Sequence, residues 1–162
     1  MSRTLVAGIG NVFFGDDGFG CEVARRLAAT ADGLEGVSVV DFGIRGVHLA
    51  YELTSGYDRA VIVDAVARGG RAGTLYVLDP ELDGMAAPPV GNAHSVALGG
   101  VLAMTRTLGV PPARVVVVGC EAGEIVERIG LSDAVADAVD PAVTLVKQLL
   151  ADGQSVVAGG RP

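Results

Sequence analysis

The chain has two cysteines, a single lysine, no long apolar run and no secretory leader, and each shortage excludes a class of protein. Cys21 and Cys120 lie far apart and form no C-x-x-C pair, so neither a disulfide framework nor a thiolate zinc site is encoded. That pattern fits a reducing compartment. With Lys147 as the lone lysine and a net charge of −7, the chain lacks the clustered cations that counterion release from nucleic acid or anionic lipid requires. A cationic or metal-bearing partner is easier to accommodate. The first apolar stretch, LVAGIG, is short and has neither the basic start nor the cleavage pattern of a signal peptide. No run approaches the ~18 apolar residues of a membrane span. A cytoplasmic monomer with no nucleic-acid or membrane partner is expected.

What is present is a regular alternation. At 162 residues the chain fits one domain that buries roughly 70% of its unfolded surface. Val-rich runs (TLVAGI, VSVVDF, AVIVDA, RVVVVG) alternate with helical patterns (DGFGCEVARRLAATA, GVHLAYELTS, SVALGGVLAMTRTLG, SDAVADAVDPAVTLVKQLL). This predicts an α/β fold, a three-layer αβα sandwich around a doubly wound, mostly parallel five-stranded sheet. The link VARGGRA between AVIVDA and GTLYVL is too short for a crossover helix, so GTLYVL is read as an antiparallel edge strand. The segment PELDGMAAPPVGN reads as a loop leading to His94 at the mouth of the next helix. Residues 1–150 form the single domain; 151–162 lack periodicity and are read as a frayed tail.

The stretch GIGNVFFGDDGFG, residues 8–20, carries glycines where nucleotide-binding loops carry them. As a dinucleotide fingerprint it fails, because Phe13 stands where the third glycine belongs. Gly10 and Gly15 have P-loop spacing, yet the next residues are Asp16 and Asp17 instead of Lys and Ser or Thr. Carboxylates at that position repel a polyphosphate and attract a cation. The plainer reading is that Asp16 caps the following helix and Asp17 complements its dipole.

In an open parallel sheet, residues just past the carboxyl ends of strands face the ligand crevice. Asp64 ends AVIVDA, Asp41 ends VSVVDF, and His94 follows the proline-rich loop. Asp17, Asp64 and His94 can therefore meet at one rim, as an incomplete shell for a divalent metal such as nickel or zinc. Singly, each is a turn, cap or packed residue; only convergence makes a site. His48 is placed on a helix face near the surface. Cys120 is read as a small buried hydrophobe, since no histidine follows it in the chain. There is no G-x-S-x-G elbow and no H-E-x-x-H helix.

The ordered set GIGNVFFGDDGFG, VIVDA, AHSVAL and VGCEAGEIVERIGLSDAVADAV resembles the nickel-iron hydrogenase maturation endopeptidases over residues 4 to about 150. The opening G-x-G-N-x-x-x-x-D-[DE]-x-x-G is its most specific part. The resemblance implies a peptidase domain that removes the carboxyl-terminal extension of a hydrogenase large-subunit precursor once nickel has been inserted. It implies metal contact and catalysis by Asp17, Asp64 and His94, with nickel brought by the substrate and no tightly bound intrinsic metal. Two departures concern substrate contact: Asp41 is followed by Phe42-Gly43-Ile44-Arg45-Gly46 where the family has a Gly-Gly-Thr turn, and Gly119-Cys120-Glu121-Ala122 stands for Gly-Ile-Glu-Pro. The rival readings are a non-catalytic nickel-binding accessory protein or chaperone with the same ligands, and a nucleotide-binding domain.

Overall fold

The computed structural model describes residues 2–30, 34–81, 83 and 98–159, with side chains as far as position 152. In chain order the elements are β1 (Thr4–Ile9), a 3-10 turn (Gly15–Gly18), α1 (Phe19–Ala29), β2 (Val37–Gly43), α2 (Gly46–Glu52), β3 (Arg59–Val66), β4 (Leu75–Leu78), α3 (Leu98–Leu108), β5 (Arg114–Glu121) and α4 (Asp133–Gly159). The sheet order is β2-β1-β3-β5-β4. All neighbours are parallel except β4, which pairs antiparallel with β5 at the edge, as its short link predicts. Helix α4 continues to Gly159, past the boundary read from sequence at position 150.

The period-2 alternation of β1 divides the core. Leu5, Ala7 and Ile9 point to one face, where α2 and α3 deliver Leu49, Leu53, Val101 and Leu102. Val6 points to the other, against Val23 and Leu27 of α1 and Val135, Val139 and Val146 of α4. Both faces of the central strands are covered, so β1 is buried at every position and reads as an unbroken apolar run.

The chain leaves β1 toward β2 on one side and returns through β3 on the other, so the carboxyl ends of β1 and β3 form the switch point of the sheet. Helix α1 sits unusually close to these ends. A Cβ on Gly20 would stand 2.5 Å from the Ile9 carbonyl oxygen and closer still to that of Val63. Gly10 has φ of +139°, and a side chain there would run into the Asp17 carbonyl. The glycines of the opening stretch thus serve close backbone approach, which draws the Asp16-Asp17 turn down onto the strand ends.

Candidate functional site

Among the described residues, Asp16 and Glu121 are well supplied with hydrogen-bond donors and Asp17 and Asp64 are not. Asp16 is fully buried and accepts hydrogen bonds from the backbone N–H groups of Gly123 (2.8 Å), Glu124 (2.7 Å) and Ser132 (2.7 Å) and from the Ser132 hydroxyl (2.8 Å). Burial works to raise its pKa, but these donors outweigh it and hold the carboxyl below its ordinary value. Asp16 is therefore not a helix cap. The residue before α1 is Gly18, and no side chain bonds the helix start. What Asp16 does is lock the β5–α4 connection against the opening loop, which is also stitched by Gly15 N–H to Arg128 O (2.7 Å) and Arg128 N–H to Phe13 O (2.9 Å).

Glu121, at the end of β5, is the second such carboxylate. It accepts from the N–H groups of Arg68 and Gly70 and from the Tyr76 hydroxyl (2.9 Å), which together outweigh desolvation and lower its pKa. It organises the turn between β3 and β4. From sequence Glu121 is given no role, although it keeps the glutamate of the family's Gly-Ile-Glu-Pro while Cys120 and Ala122 depart from it, and Asp16 reads as a cap; a buried acid followed far along the chain by an unassigned serine is too faint a signal to pair them.

Asp17 and Asp64 are different. Asp17 is half-buried, and its Oδ2 accepts only the N–H of Asn11 (2.9 Å), whose own Oδ1 accepts the Phe13 N–H (2.9 Å) and shapes the loop. Desolvation raises its pKa despite that bond. Asp64 is raised well above the carboxylate range, first by burial and then by the charge of Asp17, against one backbone N–H at Ala65. Asp17 and Asp64 thus stand near enough at the switch point for the charge of Asp17 to raise Asp64. Such a pair is relieved by a proton or a cation, and hard oxygen donors suit a divalent ion.

Cys21, one turn into α1, sits against the same pair. Its thiol contacts the Gly10 carbonyl at 3.5 Å and is pushed up, first by burial, then by a hydrogen bond and charge from Asp41, then by Asp64 and Asp17. It is not a thiolate. Asp41 is exposed at the end of β2, its Oδ1 accepting the Gly43 N–H (2.9 Å). His94 and most of the loop before it lie outside the described residues. His48 is exposed on α2, as its placement on a surface face predicts. Cys120 is buried, its pKa pushed up to about 11 by burial and then by Asp16 and Glu121. Both cysteines are free. Among the described residues, no three His, Cys, Asp or Glu side chains are grouped to hold a metal ion, and no helix is long and apolar enough to cross a membrane.

Comparison with known proteins points one way. The hydrogenase maturation protease family matches residues 21–149, which include Asp64 and His94 and begin just after the opening loop. The chain is 32% identical over 160 residues to the hydrogenase expression/formation protein HupD of Rhodobacter capsulatus, covering 97% of this chain and 76% of that one. It is 33% identical over 146 residues to a putative hydrogenase maturation protease of Methanocaldococcus jannaschii, covering 88% and 92%. Among solved structures it superposes on the hydrogenase maturating endopeptidase HybD of Escherichia coli with a TM-score of 0.77 at 25% identity, covering 93% of each chain. With its mixed five-stranded sheet and these matches over most of its length, the chain belongs to the hydrogenase maturation protease family and is a peptide hydrolase.

Proposed function

We propose that this protein removes the carboxyl-terminal extension of a nickel-iron hydrogenase large-subunit precursor after nickel insertion, with Asp17, Asp64 and His94 engaging the nickel that the substrate carries. The observation that carries this reading is the approach of Asp17 and Asp64 at the switch point: burial raises both, the charge of Asp17 raises Asp64 further, and among the described residues Asp17 accepts a single backbone N–H. A carboxylate kept for structure is saturated with donors, as Asp16 and Glu121 are; a pair left short of them is held ready for a cation.

In this reading the substrate supplies a cation already ligated by its own groups, and the protease completes the shell. Cation binding drives both carboxyls to the charged form and fixes the scissile bond beside them. Hydrolysis then adds water across that bond: hydroxyl goes to the carbonyl carbon, the C–N bond breaks, and the departing amine takes a proton. Recognition of the metal makes the free energy of docking available only for a loaded precursor.

The test is a processing assay on nickel-loaded and nickel-free precursor, paired with elemental analysis of the purified protease. Cleavage of the loaded form alone, by a protease without stoichiometric metal, is the expected result. Equal cleavage of both forms by a protein holding its own zinc would assign an ordinary metallopeptidase instead. Binding of loaded precursor without any loss of size would assign a non-catalytic accessory protein. Asp17→Lys, which replaces attraction with repulsion at the cation, should be inactive.

A further inference from the structure

A cavity of about 370 Å³ opens between α1, the segment 129–131 and the first turns of α4. Its walls include Val12, Cys21, Ile129, Leu131, Ala136 and Val139. The near end reaches Asp41 and the glycines Gly15 and Gly18 that bracket Asp17, while Arg25 and Arg26 stand at the far end. Those arginines are already paired, Arg25 with Glu22 at 2.6 Å and Arg26 with Asp140 at 2.6 Å, so the far end recruits no anion. From Gly18 to Arg25 along α1 is roughly 10 Å, the length of about three residues of extended peptide.

We infer that this cavity is the slot for the residues immediately following the scissile bond, taking them as an apolar extended peptide whose new amino terminus meets Asp41. The inference rests on the processing reading above and adds where the extension lies. Three observations carry it. The slot is continuous with the turn that presents Asp17. Its far wall is built in advance, because the four bonds to Asp16 and the stitching of residues 13–15 to Arg128 hold the β5–α4 connection in place without substrate. Its lining exposes large apolar side chains, Val12 at 44% and Ile129 at 74%, which a bound peptide would cover. Charge selects between the two sides of the cut. The upstream product ends in a carboxylate, which Asp41 repels; the downstream product begins with an ammonium, which Asp41 attracts.

The experiment first has the wild-type protein process its nickel-loaded precursor; the released peptide is identified by mass spectrometry and synthesised. Ala136 is exposed, so Ala136→Trp fills the slot without disturbing the core. Asp137→Trp, the exposed neighbour outside the slot, adds the same bulk elsewhere. The expected result is that Ala136→Trp weakens binding of the synthetic peptide and raises KM for the precursor, each by about tenfold or more, with thermal midpoint unchanged. Asp137→Trp should match wild type, and acetylating the peptide's amino terminus should weaken its binding severalfold. Unaltered peptide binding and KM in Ala136→Trp, or a synthetic peptide that does not bind wild type, would overturn the slot while leaving the processing reading intact. A change in oligomeric state on Ala136→Trp would assign the slot to a second copy of this chain. Failure of the wild-type protein to cut loaded precursor would overturn both readings together.

Discussion

The carboxyl end of β5 and the carboxyl ends of β1 and β3 carry the same functional group in opposite circumstances. Around β5, Asp16 and Glu121 are buried and each is met by at least three donors, and their pKa values fall. At β1 and β3, among the described residues, Asp17 accepts a single backbone N–H and Asp64 feels the charge of Asp17, and the pKa values of both rise. Asp16 and Asp17 are adjacent in the chain, yet one holds the scaffold and the other faces the crevice. In the reading proposed above, donor supply, more than burial or residue type, separates the structural acid from the one that engages substrate.

The sharpest way to break this comparison is to neutralise each acid in turn. Asp17→Asn, Asp64→Asn and His94→Ala should each reduce processing of nickel-loaded precursor by roughly a thousandfold or more, the scale on which metal-site groups act. His48→Ala, on the exposed face of α2, should leave it unchanged. Calorimetry on the same proteins should show no loss of thermal midpoint in the two Asn variants. A collapse of stability in either would mean that the pair is structural after all.

Next in size is the close approach that creates the pair. Gly20→Ala sets a methyl group against the Ile9 and Val63 carbonyls and should cost about 3 kcal/mol of stability, or displace α1 and separate Asp17 from Asp64. Denaturant unfolding reads the first outcome and processing rate the second; a variant normal by both measures would mean that the packing at Gly20 is slack.

On the saturated side, Asp16→Asn turns an NH2 group toward N–H donors that lose their acceptor. Stability should fall by roughly 2–4 kcal/mol. Its residual activity per folded molecule should exceed that of Asp17→Asn by a wide margin. The reverse ranking would exchange the roles assigned to the two neighbours.

The smallest effect is on pH dependence. Asp16 and Glu121 have folded pKa values below those of the unfolded chain. Their stabilisation is complete above the ordinary carboxylate value of about 4 and is lost as pH falls through the folded values. Asp64 has the opposite sign. Its folded value is raised, so the native state binds more protons than the unfolded chain above pH ~4, and stability declines as pH climbs through that window. Urea unfolding across this range should show Glu121→Gln shrinking the acid-side loss and Asp64→Asn reducing the decline on the other side, with Asp17, also raised, supplying the remainder. A decline of unchanged size in Asp64→Asn would assign it to another group.

Much of the fold was legible in the sequence because its signals are local. Alternating Val-rich and amphipathic segments specify parallel strands and covering helices, and a link too short for a crossover makes β4 the antiparallel edge. The acidity of the opening loop is written in the sequence, but of its two aspartates Asp16 is taken up by the donors of Gly123, Glu124 and Ser132, so only Asp17 keeps the cation-facing part that the sequence assigns to both. The last helix is less legible, because the backbone of α4 runs to Gly159 although the sequence beyond position 150 has no amphipathic pattern. Which aspartate is structural could not be read locally. The donors that settle Asp16 come from residues 107 to 116 positions away, and the charge that perturbs Asp64 comes from a turn of another element. By itself the sequence determined where strands end and which side chains stand there. Only tertiary structure decided how many hydrogen bonds each of those side chains receives, because the partners are assembled by folding and are not neighbours in the chain.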